Sequence, residues 1–233
     1  MKILVFTPTY SGKDYCMDRF MQNVSRITYK NIKHIIVTND QSEDYAHNLR
    51  RRFPSSTVVW VGRGGSSREA ITRAQEYARQ VAIKEGYDYL LSLESDIFPP
   101  KDFIERLLMS GKDVISGLYF IGNEKDSISV PCATILKLDE KLGMFGTRLM
   151  VEHLEVQNFC KPGIKQVAAA GMGCTLISRP VFTKIGFMYE PDMSGHSDIF
   201  WFNQCFREKV NVYVDTKIYC THEFSDWTKV ADR

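Results

Sequence analysis

The sequence lacks the features that mark membrane proteins and secreted proteins. The apolar run at 3–6, which follows Met1 and Lys2, is far too short for a signal sequence or a membrane span. It is instead typical of a first β-strand. We therefore expect a cytoplasmic protein with no stable membrane insertion.

Its cysteines and its charge identify no cofactor or partner. None of the six cysteines is in a C-x-x-C pattern, and most lie within apolar segments, which predicts reduced thiols and no zinc. A net charge of +2 favours neither nucleic acid nor an acidic partner. No linker, internal repeat or low-complexity segment divides the 233 residues, so we expect one domain.

The first half alternates short apolar runs with segments of helical periodicity, the pattern of a parallel sheet covered by helices. The predicted strands are 2–7, 33–38, 57–61, 88–93 and 113–116, and the predicted helices are about 15–27, 42–52, 67–85 and 101–109. Helix 67–85 has the clearest apolar periodicity, and Ser67 with Glu69 indicates its N-terminus.

After residue 117 the pattern changes to a mixed, partly antiparallel arrangement. The sequence predicts extended segments at 130–137 and 144–151, a loop around 161–163, helices at 179–186 and about 197–208, and strands near 211–214 and 217–221. The fold class is therefore α/β, with a central mostly parallel sheet.

Two carboxylates, Glu94 and Asp96, stand at the end of the apolar strand 88–93. In parallel α/β sheets, ligands collect at the carboxyl ends of strands, so these acids are delivered to the usual binding crevice. A divalent cation that carries a diphosphate suits such oxygen ligands. The alternative is an acidic pair that ends a strand and opens a solvated turn before Pro99 and Pro100.

The motifs, taken in order, resemble those of the GT-A glycosyltransferases, especially family-2-type enzymes that use nucleotide-sugar donors. The segment 7–10 after the first strand is similar to the opening nucleotide-binding segment of the family, and 38–44 is similar to its acidic base-recognition segment, with Asn39 in place of the first acid. Glu94-Ser95-Asp96 is similar to the Asp-x-Asp motif, and 170–177 to the small-residue segment before the acceptor side.

The resemblance implies one GT-A domain at 1–222, with a Rossmann-like nucleotide-sugar-binding half at 1–117 and an acceptor half at 118–222. Residues 223–233 would form a C-terminal tail or a lid. The substrate-binding residues that it implies are Thr7, Pro8, Thr9, Tyr10, Asp40, Arg68, Glu94, Ser95, Gly171 and Gly173. Asp40 would read the base, with uridine as the first choice.

The resemblance also implies that Asp96 and His222 bind Mn²⁺ or Mg²⁺, with Asp96 in a surface cleft. Asp198, at the start of a helix, would be the general base that deprotonates an acceptor hydroxyl, which gives inversion at the anomeric carbon. The implied function is transfer of a sugar from a UDP-sugar to that hydroxyl. Asp192 is a weaker candidate base, and His196 a candidate acceptor contact.

Each of these residues also has an ordinary structural interpretation. His222 could be a hydrogen-bonded rim residue, Arg68 a solvated helix charge, and Asp198 a carboxylate that stabilises a helix N-terminus. Two other functions stay open, a nucleotidyltransferase that makes nucleotide sugars and a non-catalytic sugar-binding module. The basic run 50–52 supports a helix C-terminus, so a nucleic-acid acceptor is unsupported, and the class of acceptor is undetermined.

Overall fold

The computed structural model describes residues 1–123, 128–136, 148–150, 159–189 and 197–223. Within these ranges, eight strands form a central sheet and shorter strands form three small sheets. None of the helices in this part of the chain combines the length and the apolar character that crossing a membrane requires.

The first half has the predicted alternation of strands and helices. The strands are β1 (Ile3–Thr9), β2 (Ile32–Thr38), β3 (Thr57–Trp60), β4 (Tyr89–Leu93), β5 (Ile97–Phe98) and β6 (Val114–Leu118). The helices are α1 (Asp14–Ser25), α2 (Asp44–Arg52), α3 (Ser67–Lys84) and α4 (Phe103–Met109), with a short 3-10 turn at Ser11–Lys13. Helix α3 begins at Ser67, as predicted, and Ser66, with its extended backbone and its side chain, forms the N-cap.

The described residues of the second half contain further strands and helices. They are β7 (Phe120–Asn123), β8 (Ile128–Pro131), β9 (Ala133–Leu136), β10 (Arg148–Met150), β11 (Ile164–Val167), β12 (Ala169–Ala170), β13 (Cys174–Ser178), α5 (Arg179–Lys184), α6 (Ser197–Arg207), β14 (Val212–Tyr219) and β15 (Thr221–His222). The two strands predicted near 211–214 and 217–221 are mostly one strand, β14, whose register with β6 shifts between Asp215 and Tyr219.

The central sheet has the order β11-β14-β6-β13-β4-β1-β2-β3. Strands β1 to β4 are parallel, and β6 is parallel to β14, whereas β13 and β11 run antiparallel to their neighbours. The α/β class with a mostly parallel sheet is therefore confirmed. Because β1 lies between β4 and β2, the carboxyl ends of these three strands meet at one edge of the sheet.

Apolar layers on both faces of the sheet hold these strand ends in place. Along β1, Leu4 and Phe6 pack in the layer that includes α3, while Ile3 and Val5 pack in the layer that includes α1. Full burial of each such side chain contributes about 1.5–3 kcal/mol. The strand alternates between two apolar faces, so its register and the position of its end are fixed.

Candidate functional site

Glu94 and Asp96, which we call the acidic pair, lie directly beyond the end of β4. Strand β1 is paired in parallel with β4, so the 3-10 turn that follows β1 reaches the same place. Lys13 closes that turn, and its Nζ lies 2.8 Å from Asp96 Oδ2 and 3.8 Å from Glu94 Oε2. Two strand ends thus bring an ammonium group and two carboxylates together.

Asp96 is completely buried, with 0% of its side chain exposed, which corrects the prediction of a carboxylate in a surface cleft. The neighbouring backbone encloses it, since the N–H of Glu223 donates to the Asp96 carbonyl at 2.9 Å. Among the described residues, Oδ1 of Asp96 has no hydrogen-bond partner. A buried carboxylate oxygen without a donor is costly, and it marks a position where a cation could bind.

His222 completes the surroundings of Asp96. Strand β15 pairs antiparallel with β5, with His222 opposite Ile97, so the imidazole lies beside Asp96, with Nε2 3.5 Å from Oδ2. The Phe120 carbonyl lies 2.9 Å from Nδ1 and can only accept, so Nδ1 carries a proton. This contact turns Nε2 toward the carboxylate.

The charges in this cluster shift each other's protonation. Burial raises the pKa of Glu94 to about 7, and the nearby charges of Asp96 and Asp198 raise it while Lys13 lowers it. Burial also opposes ionisation of Asp96, but the His222 and Lys13 contacts outweigh it and hold the Asp96 pKa below its usual value. Burial lowers the pKa of His222, yet Asp96 more than offsets this, so that pKa is raised. Asp96 is therefore the ionised member of the acidic pair.

Asp198 stands in the first turn of α6, next to the small-residue segment between β12 and β13. Its Oδ2 accepts a hydrogen bond from the backbone N–H of Met172 at 3.3 Å. The same segment contacts the acidic pair, because the Glu94 N–H donates to the Gly173 carbonyl at 3.0 Å. A single backbone segment therefore lies between Asp198 and Glu94, which is why the two carboxylates influence each other electrostatically.

The two glycines of this segment make room for a buried tyrosine. A side chain at Gly171 would collide with the Tyr119 hydroxyl and Cys132, and one at Gly173 would come within 2.8 Å of Ile97. The Gly173 N–H donates to the Tyr119 hydroxyl at 3.1 Å. The close approach that glycine permits here is therefore to the protein's own interior.

Asp40 lies beyond the end of β2, where its carboxylate is bound by the turn after β1. Both carboxylate oxygens lie 3.1 Å from the Ser11 backbone nitrogen, and the Ser11 hydroxyl donates to Oδ1 at 2.7 Å. The indole N–H of Trp60, at the end of β3, donates to the Asp40 carbonyl at 2.9 Å. This contact brings an aromatic side chain, 37% exposed, to the same edge of the sheet as Asp40.

Tyr10 lies between the Asp40 region and the acidic pair. Burial raises the pKa of its half-buried phenol, while the positive charges of Lys13 and Arg63 lower it and Asp96 and Asp40 raise it. All four charged groups are therefore near the ring. Trp60, Asp40, Tyr10 and the acidic pair therefore lie along the same edge of the sheet.

The other predicted substrate-binding residues lie in β1, between Glu94 and Asp96, and at the start of α3. Thr7 and Pro8 are buried within β1, where the Thr7 hydroxyl contacts His34 Nε2 at 2.9 Å. Thr9 and Ser95 are buried and contact each other through their hydroxyls at 3.3 Å, which ties β1 to the acidic segment. Arg68 is exposed in the first turn of α3.

Sequence reasoning missed Lys13, Trp60 and Arg63. A lysine after a short polar loop carries no periodic or motif signal, and its position three residues beyond Tyr10 becomes meaningful only when β1 and β4 are known to be neighbours. Trp60 was read simply as part of a strand, although its place at the strand's carboxyl end was an available signal.

Several predicted features lie outside the described residues. These are Asp192, Gly195, His196, the segments 144–147 and 151 of a predicted strand, and the tail or lid beyond Glu223. Within the described part of the chain, no group of three or more His, Cys, Asp or Glu side chains is arranged to hold a metal ion.

No protein-family model matches the sequence, and no curated protein sequence matches it. Solved structures do match the fold. GalNAc-T7, crystallised with UDP, GalNAc and Mn²⁺, superposes with a TM-score of 0.61 at 12% identity, over 96% of this chain and 44% of that one. TarS 1–349 from S. aureus in complex with UDP-GlcNAc gives 0.57 at 12% identity, over 97% of this chain and 60% of that one. The A197 protein from STIV gives 0.51 at 16% identity, over 97% and 87%.

The chain thus spans less than two thirds of the first two of these proteins and most of the third. At these identities the comparison establishes the architecture alone. The structure has the GT-A glycosyltransferase fold, as the sequence motifs predicted.

Proposed function

We propose that this protein is a metal-dependent glycosyltransferase that moves a sugar from a UDP-sugar to an acceptor hydroxyl, with inversion at the anomeric carbon. The observation that carries the proposal is the cluster of Lys13, the acidic pair and His222 at the carboxyl ends of β1 and β4, with Asp198 one backbone segment away. Ligands of open α/β sheets bind outside these strand ends.

The donor nucleotide would bind along the edge between Trp60 and Tyr10. Asp40 offers a carboxylate for the N3–H of uracil, and the two aromatic side chains offer surfaces for the base and ribose. The UDP bound to GalNAc-T7 and the UDP-GlcNAc bound to TarS support uridine as the base. Residues 1–117 would form the donor half and residues 118–222 the acceptor half.

Asp96 and His222 would hold the divalent cation. The fit is supported by the unpartnered Oδ1 of Asp96 and by the Phe120 carbonyl, which directs His222 Nε2 toward Asp96. Metal-binding histidines usually have their second nitrogen fixed by such a partner. When bound, the cation would act as a Lewis acid on the leaving diphosphate, and an imidazole ligand favours Mn²⁺ over Mg²⁺. Diphosphate oxygens and water would supply the other ligands.

Asp198 would accept the proton of the acceptor hydroxyl. Its half-buried carboxylate accepts from the Met172 N–H through Oδ2 and from the Ser197 hydroxyl, at 3.4 Å, through Oδ1. Inversion requires the base and the leaving group to be on opposite sides of the anomeric carbon, so the acceptor hydroxyl would bind between the donor sugar and Asp198.

Incubation with a panel of nucleotide sugars and Mn²⁺ tests the proposal. A transferase releases a nucleoside diphosphate, slowly by hydrolysis even when the true acceptor is absent. Pyrophosphate exchange would instead identify a nucleotidyltransferase, and binding of the nucleotide sugar without turnover would identify a binding module. We expect UDP release, with the greatest rate for UDP-sugars.

A further inference from the structure

The Lys13 ammonium fills the space beside the acidic pair. Only 12% of its side chain is exposed, and its nearest charged neighbours are Asp96 Oδ2 at 2.8 Å and Glu94 Oε2 at 3.8 Å. Lysine is seldom this enclosed unless its charge is paired. Here the pairing is with Asp96, whose own side chain is completely buried.

Backbone hydrogen bonds of the 3-10 turn fix the position of Lys13 beside Asp96. The Lys13 N–H donates to the Tyr10 carbonyl at 2.9 Å, which closes the 3-10 turn. Asp40 binds the first residue of the same turn, Ser11, through both its backbone and its hydroxyl. Both ends of the turn are therefore fixed, so Lys13 is built into the site.

This arrangement creates a conflict at Asp96. The oxygen that Lys13 contacts, Oδ2, is also the oxygen that faces His222 Nε2 at 3.5 Å. A divalent cation that is bound by both this oxygen and His222 Nε2 would therefore lie close to the Lys13 ammonium. Two neighbouring positive charges in a buried site repel each other strongly. Either the ammonium moves away or the divalent cation binds weakly.

We propose that Lys13 is the resident counterion of the acidic pair and competes directly with the divalent cation for Asp96. The ammonium neutralises the buried carboxylate in the free protein. A nucleoside diphosphate then favours exchange, because its phosphate oxygens provide a second anionic partner for Lys13. The inference rests on the proposed function, since it takes Asp96 as a ligand of the cation.

Direct Mn²⁺ binding to the nucleotide-free protein, followed by the electron paramagnetic resonance of free Mn²⁺, tests the competition. Lys13→Met removes the charge while it keeps the length, and we expect it to bind Mn²⁺ at least about tenfold more tightly than the parent. Lys13→Arg keeps the charge and should bind Mn²⁺ as weakly as the parent. Equal affinity of the parent and Lys13→Met would overturn the proposal.

Lys33→Met is the matched control. Lys33 also pairs with a carboxylate, Glu85 at 3.2 Å, but at the opposite edge of the sheet, where β2 begins. Its loss changes the net charge equally, so its Mn²⁺ affinity should equal that of the parent. A gain as large as that of Lys13→Met would mean that net charge causes the effect, and would overturn a local competition.

A measurement on the parent covers the case in which Lys13→Met does not fold. Acetylation of lysines with acetic anhydride, mapped by mass spectrometry, should modify Lys13 more relative to Lys33 when Mn²⁺ is saturating. An unchanged ratio would overturn the exchange. The proposed function fails separately: if Mn²⁺ binds neither the parent nor any variant, even with UDP present, both proposals fail, whereas equal binding to parent and Lys13→Met removes the exchange alone.

Discussion

At the scale of single residues, the proposed role of Asp198 as general base can be tested apart from donor binding. Asparagine keeps its size and can still accept from the Met172 N–H, but it cannot take up a proton. We expect Asp198→Asn to lose sugar transfer by about 10²–10⁴-fold, the usual contribution of a general base. Transfer rates and UDP affinity, measured on the same preparations, check this prediction.

The affinity of Asp198→Asn for UDP with Mn²⁺ is the internal control and should be unchanged. A variant that transfers at the parental rate would remove Asp198 from the mechanism. A variant that no longer binds UDP would assign the residue to the donor side.

Asp40 has two possible roles, one in reading the base and one in holding Ser11. We expect Asp40→Ala to weaken UDP binding by about 1–3 kcal/mol, because a hydrogen bond to a charged group is lost. Calorimetry with uridine, guanosine and adenosine diphosphates measures the loss for each base. Ser11→Ala removes the 2.7 Å hydroxyl contact while it keeps the Asp40 carboxylate. If Ser11→Ala reproduces the loss, or if all three nucleotides lose equally, Asp40 positions the turn and does not read the base.

His34 on β2 makes the stability of the fold depend on pH. Burial lowers the pKa of His34 from 6.5 to about 4, and its Nδ1 is shielded from water without a hydrogen-bond partner in the described part of the chain. The unfolded chain therefore takes up the proton first as pH falls, and stability is lost between these two values. From about pH 7 to about pH 5 we expect a loss of up to about 2 kcal/mol from this residue.

Urea unfolding at the two pH values measures this loss, with His34→Gln as the comparison. Glutamine cannot be protonated in this range, so its stability should change less with pH than that of the parent. Parallel pH profiles for the two proteins would show that carboxylates cause the acid sensitivity.

At the scale of elements, α3 depends on a reciprocal cap at its N-terminus. Ser66 Oγ accepts from the Glu69 N–H at 3.1 Å, and Glu69 Oε2 accepts from the Gly65 N–H at 2.7 Å. We expect Ser66→Ala to lower the free energy of unfolding by about 1 kcal/mol, since an orphan helix donor loses its acceptor. Thermal unfolding against Ser67→Ala, a substitution at the first helical position, checks the prediction. A comparable loss in Ser67→Ala would contradict the cap.

The elements of the first half were predictable because each buries one regular face. Ala70, Ala74 and Ala78 recur at helical spacing and are buried, and β1 and β4 are continuous apolar runs covered on both faces. Strand β13 was not predicted as a strand because a run rich in Ala and Gly precedes it and no alternation marks its start. Its place between β4 and β6 follows from long-range pairing, which local pattern does not encode.

At the scale of the whole molecule, the residues of the site that could be predicted from sequence are those that directly follow an apolar strand. Glu94 and Asp96 end an apolar run, so their proximity to a ligand crevice could be expected from sequence. The burial of Asp96 could not be, because it depends on the enclosing contacts of Lys13 and Glu223 from distant parts of the chain. The sequence therefore predicted that these acids follow a strand end, and the three-dimensional structure provides their counterions.

The position of β14 affects the synthesis of the protein. It is among the last strands along the chain, yet it lies between β11 and β6 inside the central sheet. While the ribosome still holds this segment, two strands that emerged earlier keep unpaired edges, which can pair with other chains. A nascent or prematurely terminated chain therefore has neither a complete sheet nor His222 beside Asp96, and the proposed binding of the donor would have to wait until both segments have been translated.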